Sequence, residues 1–158
     1  MAARYYPPLY ITADGPLGNV GAPVSGGVSI GGIDIPAGAK ISSALLNVNI
    51  GTVWSAPKID ISAQKTIAAA IIGPSNPPTE SALTPQTIGT VRFAPTAANT
   101  THQIDVTALV SELIAQTDWP TSDARINFLM TDATGGVEVN FFEFLNNTNP
   151  PTLEITCD

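Results

Sequence analysis

His102 is the one histidine in the sequence, and so the one side chain whose ordinary titration suits general-base work near neutral pH. A base of that kind needs a hydroxyl or thiol nucleophile held beside it, and no Ser or Cys stands in a nucleophile motif with His102. It reads as a loop histidine just ahead of Asp105. Paired carboxylates are another route to hydrolysis. Glu138 and Glu143 share an apolar stretch but lie an odd number of residues apart, so a regular strand sends them to opposite faces. Asp118 and Asp123 flank Trp119. All four read as solvent-facing acids, and the chain is expected not to be an enzyme.

Metal chemistry finds little to work with. One cysteine, Cys157, and one histidine cannot supply a thiolate zinc site or an intrachain disulfide. Calcium asks for several oxygen ligands gathered in one loop. Asp14, Asp34, Asp60 and Asp132 stand apart, and the Asp-x-Asx-x-Asx-Gly loop is absent. No cofactor is expected, save a structural calcium on loop carbonyls, which leaves no trace in a sequence. Gly26-Gly27 and Gly31-Gly32 introduce no helix and lack the Lys-Ser/Thr of a phosphate loop, so both pairs are expected to be turns.

Aromatic residues supply the remaining candidates. Arg4-Tyr5-Tyr6-Pro7-Pro8 and Tyr10 form an apolar N-terminal cluster suited to anchoring on a partner. Trp54 ends a strand before Pro57, where a core rim and a sugar-stacking platform are both open. Trp119 follows an amphipathic stretch and is expected to plug one end of the core.

These residues must be positioned by β-structure. Apolar residues make up 44% of the 158 residues, enough for a single packed domain, while charged residues are only 12% against the usual ~25%. Ser, Thr, Asn and Gln must therefore build the polar surface. The net charge is −7 and the six basic residues form no run, which excludes binding to nucleic-acid phosphates through a clustered basic face. The 14 prolines and 13 glycines punctuate short apolar runs, as in a chain of many strands and turns.

Residues 1–11 read as an extended or polyproline-like arm, with a first edge strand as the competing possibility. Residues 12–158 read as one β-sandwich domain. Gly15 to Gly32 is expected to be loop. Between Lys40 and Val53, Ala44, Leu46, Val48 and Ile50 alternate with Ser43, Leu45, Asn47 and Asn49, the mark of a half-buried strand. Ile59-Ile61-Ala63, Val91-Phe93, Ile126-Phe128-Met130, Val137-Val139-Phe141 and Leu153-Ile155 read likewise. Thr66 to Ile72 reads as a strand buried on both faces, and Pro74 to Gln86 as a long connection. Val106, Leu109, Val110, Leu113 and Ile114 follow helical spacing, predicting a short helix near 105–116 with Asp105 as N-cap. Leu46, Val48, Leu109, Leu113, Phe128 and Leu153 are the expected core.

Three stretches carry a family resemblance. They are Ile35-Pro-Ala-Gly-Ala-Lys-Ile-Ser-Ser-Ala-Leu-Leu-Asn-Val; Ile104-Asp-Val-Thr-Ala-Leu-Val-Ser-Glu-Leu-Ile with Trp119 and Phe128-Leu-Met; and Phe142-Glu-Phe with Pro151-Thr-Leu-Glu-Ile. In this order they resemble DNRLRE-type β-sandwich modules, which are similar in architecture to carbohydrate-binding jelly rolls. Pro120-Thr-Ser-Asp stands where such modules commonly carry a Gly. The resemblance implies a jelly-roll-like sandwich with one helix crossing its end.

The N-terminus shows no apolar leader and no stretch is long enough to span a bilayer, so synthesis in the host cytoplasm is expected. With the low charge and the aromatic arm, this leads to the expectation of a non-catalytic virion protein of a tailed bacteriophage. Its expected role is capsid decoration or cementing, bound to the major capsid protein and to its own copies, as a homotrimer at lattice points. The alternative is a carbohydrate-binding module or adhesin-like fibre domain, with Trp54 in the sugar site. Neither nucleic acid nor membrane is an expected partner.

Overall fold

The computed structural model describes residues 2–5, 25–54, 58–64, 91–94, 96–97, 99–132, 141–144 and 151–158. Alternation of apolar and polar residues organises them into two antiparallel sheets. In chain order the strands are β1 (Ala2–Tyr5), β2 (Ser25–Ile33), β3 (Ile41–Trp54), β4 (Ile59–Ala63), β5 (Val91–Phe93) and β6 (Thr100–Asp105). The helix α1 (Thr107–Ile114) follows, then β7 (Ala124–Asp132), β8 (Phe141–Phe144) and β9 (Thr152–Cys157). The first sheet runs β1-β9-β3-β6, with β8 also pairing β3, and the second runs β2-β7-β4-β5. Because Ile50 pairs Thr100 of β6 and Phe144 of β8, β8 extends the β9 side of the long strand β3.

One apolar core joins the sheets. Ala44, Leu46, Val48, Leu153, Ile155 and Ile104 from the first sheet form one cluster with Val28, Ile30, Ile61, Phe128 and Met130 from the second. The architecture is an all-β sandwich, as the alternation predicts. All six expected core residues are buried in it.

The helix needs this core, since eight residues cannot hold a helix alone in water. It buries Leu109, Val110, Leu113 and Ile114. It is shorter than the expected 105–116 span, and Val106 rather than Asp105 occupies the N-cap position. Val106 keeps a non-helical backbone, φ −111° and ψ 19°, with its side chain fully buried in the core. Asp105 still serves that end, its carboxylate accepting hydrogen bonds from the Thr107 N–H (2.9 Å) and hydroxyl (2.6 Å). Trp119 is buried at the end of the core, as expected, and its indole N–H donates to the Ile35 carbonyl at 2.8 Å.

Three other expectations are corrected. Residues 25–32, expected as loop, belong to β2. Gly31-Gly32 is a β-bulge inside that strand rather than a turn: Ile30 pairs Ile126 and Ile33 pairs Ala124, so both glycines oppose Arg125. Gly32 adopts φ +69°, which glycine takes without steric cost. Finally, His102 lies in β6, paired with Val48, not in a loop. The expected strand at 66–72 and the connection at 74–86 lie outside the described residues.

Candidate functional site

The outer face of the first sheet is built from β3, β6 and β9. Since Ala44, Leu46 and Val48 point inward, Leu45, Asn47 and Asn49 must point outward. The register sets Asn49 beside Thr101, Asn47 between Gln103 and Thr152, and Leu45 between Asp105 and Glu154. These side chains interlock. Gln103 Nε2 donates to Asn47 Oδ1 at 3.1 Å, Asn47 Nδ2 donates to Thr152 Oγ1 at 3.3 Å, and the Thr101 hydroxyl donates to Asn49 Oδ1. All of them are exposed or half-buried. The result is an accessible face of amides and hydroxyls; among the described outward positions of β3, β6 and β9 the charged ones are Asp105 and Glu154, in one row that Arg4 of β1 continues.

The second sheet differs. Its strand β7 is buried on both faces: Ile126, Phe128 and Met130 point into the core, while Asn127 and Leu129 on the opposite face are also buried. Asn127 is flanked by Ser29 of β2 and by Gln64, which follows β4. The Ser29 hydroxyl donates to Asn127 Oδ1 at 2.7 Å, and Asn127 Nδ2 donates to Gln64 Oε1 at 3.0 Å. Buried polar groups left unpaired are costly, and this ladder satisfies them in sequence. Arg125 extends it, donating from Nη1 to the Ser29 hydroxyl at 3.2 Å.

The sequence-derived candidates fall as follows. Arg4 and Tyr5 lie in β1, paired with Glu154 and Leu153. That part of the expected arm is thus the terminal strand of the first sheet. Tyr6, Pro7, Pro8 and Tyr10 lie outside the described residues. Trp54 ends β3 opposite Phe141. His102 is half-buried on the inward register of β6, edge-on to Phe93 with ring centroids 5.5 Å apart, and its Nδ1 lies 3.4 Å from the Thr100 carbonyl. It helps seal the side of the sandwich where β5 and β6 lie. Asp60 pairs with Arg92 at 2.9 Å, and Asp34 accepts from the Asp123 N–H at 2.8 Å, so both acids have structural work. Glu143 lies in β8, whereas Glu138 and Asp14 lie outside the described residues. Among the described residues, no three His, Cys, Asp or Glu gather as a metal site.

Electrostatic perturbation follows local pairing. The Asp105 carboxyl sits below its ordinary value because Thr107 donates to it from side chain and backbone. The Asp158 carboxyl is likewise lowered, first by its hydrogen bond to Lys40, 2.8 Å away, and then by that to Ser42. Lys40 is raised in return. Both pairs tie chain segments together, Asp105 at the helix entry and Asp158 at the end of β9.

Comparison with models of known protein families finds no match, and comparison with curated proteins finds none. Fold and surface define the class: an all-β sandwich with one short helix, an open amide-hydroxyl face and a second, buried polar ladder.

Proposed function

We propose that this chain is a non-catalytic structural protein of a tailed-bacteriophage virion, a capsid decoration or cement protein. It attaches to the major capsid protein and to its own copies, with a trimer matching three-fold lattice points. The observation that carries this most is the outer face of the first sheet. Asn47, Asn49, Thr101, Gln103 and Thr152 present preformed hydrogen-bonding groups that lose little on desolvation, because they are uncharged and already bonded to one another. Position supports it too: β1 lies at the end of the strand order of that sheet, with β9 beside it. The segment Arg4-Tyr5-Tyr6-Pro7-Pro8 with Tyr10 is the proposed anchor. His102, engaged with Phe93, is a sealing residue rather than a base.

The same amide-hydroxyl face also suits sugar hydroxyls, so carbohydrate binding is the second reading, with Trp54 at the end of β3 as its stacking residue. One experiment separates them. Purified protein is sedimented with capsids stripped of it, beside a Tyr6→Ala/Tyr10→Ala variant that keeps the strand β1, and a glycan-binding screen. Saturable capsid attachment, lost in the folded variant, supports the proposal. Glycan binding without capsid attachment, removed by Trp54→Ala, would replace it with the carbohydrate reading.

A further inference from the structure

The half-buried guanidinium of Arg125 occupies a slot that the sheet makes for it. The bulge at Gly31-Gly32 opposes Arg125, and bulges re-aim the side chains beside them. The floor of the slot is Gly31: a Cβ there would stand 2.8 Å from Nη2 and 2.9 Å from Cζ and Nη1, closer than real contacts allow. Glycine at 31 is therefore what lets the guanidinium lie against the backbone. One wall is the Ser29 hydroxyl, which accepts from Nη1 at 3.2 Å and is itself fixed by its bond to Asn127.

A guanidinium carries five N–H donors in a rigid fork, and the bond to Ser29 uses one. The other described ion pairs show what is missing. Lys40 has Asp158 and Arg92 has Asp60, whereas no carboxylate lies within ion-pair distance of Arg125 among the described residues. The chain has a net charge of −7, yet none of the described acids is placed there. A held fork with unspent donors matches the paired oxygens of a carboxylate or a phosphate.

We infer that Arg125, seated on Gly31 and steadied by Ser29, is a binding site for an oxyanion group of a ligand or partner. The site lies on the opposite sheet from the docking face proposed above and does not depend on it.

The test follows the Arg125 side-chain Nε–H by NMR while inorganic phosphate, acetate or chloride is added at constant ionic strength. A saturable shift with phosphate or acetate, beyond that with chloride, is expected; phosphate alone would point to a phosphoryl ligand, acetate alone to a carboxylate. Gly31→Ala changes a flexible contact and should fold normally, yet it pushes the guanidinium out of its slot. It should weaken binding by about tenfold or more, the size carried by charge-assisted hydrogen bonds. Arg125→Lys, which keeps the charge but loses the fork, should do the same, followed there through the backbone amide signals of Gly31 and Gly32 opposite it. A response no greater than with chloride overturns the inference, as does unaltered affinity in both variants.

Discussion

Thr107 is the side chain through which strand β6 hands over to the helix, and replacing it by Val should destabilise the fold measurably. Ala44 of β3 turns both its polar backbone groups toward this junction. Its carbonyl accepts from the Val106 N–H at 2.9 Å, and its N–H donates to the Thr107 hydroxyl oxygen at 2.9 Å. The hydroxyl thus takes the place of the carbonyl that a continuing strand would have offered. Its own hydrogen goes to Asp105 at 2.6 Å. Thr107→Val keeps the shape and the β-branch but removes both bonds, leaving the N–H of fully buried Ala44 without its acceptor. An unsatisfied buried donor costs about 1–3 kcal/mol, and a bond to a charged partner adds about 1 kcal/mol once exposure is allowed for. A total of about 2–4 kcal/mol corresponds to a Tm lower by about 5–15 °C at this chain length. Urea unfolding of wild type, Thr107→Val and Thr107→Ser measures it, with Ser expected to recover most of the loss. A Val variant within about 0.5 kcal/mol of wild type would refute the reasoning.

Other outcomes follow from the same structure. Leu46→Ala and Phe128→Ala should each cost about 2–5 kcal/mol in urea unfolding, since both side chains are fully buried between the sheets. Trp119→Phe should cost about 1–3 kcal/mol by orphaning the Ile35 carbonyl, seen as a lower urea midpoint with unchanged slope. For Asp105 the folded carboxyl is lowered, so its stabilisation is complete above the ordinary value of 3.8 and fades as pH falls through the folded value. Wild type should therefore exceed Asp105→Asn in stability at neutral pH, and the gap should close in acid unfolding below that range.

Much of the sandwich was legible because one face of each strand is buried. The alternation in β3 and β9 fixed Leu46, Val48 and Leu153 inward, and helical spacing placed Leu109 and Leu113. The β6 strand was harder. Thr100-Thr-His-Gln-Ile-Asp offers Ile104 as its one strong apolar residue, because the strand lies at the end of its sheet with its inward register at the rim. In β2 the glycines hid a strand, although a signal was present. Val28 and Ile30 share one parity, and Ile33 and Ile35 the other, and such a slip is what an inserted bulge residue leaves. The Ser29–Asn127–Gln64 ladder and the Arg125 slot could not be read at all. They join residues far apart in sequence, and polar residues facing away from a core look solvent-exposed until the register brings them together.

The central claim, that the chain is a stoichiometric part of a virion, is tested most directly by quantitative mass spectrometry of purified phage particles. The account predicts a fixed, high copy number relative to the major capsid protein, retained through density-gradient purification. Absence from the particles, or a trace amount that falls with each purification step, would contradict it.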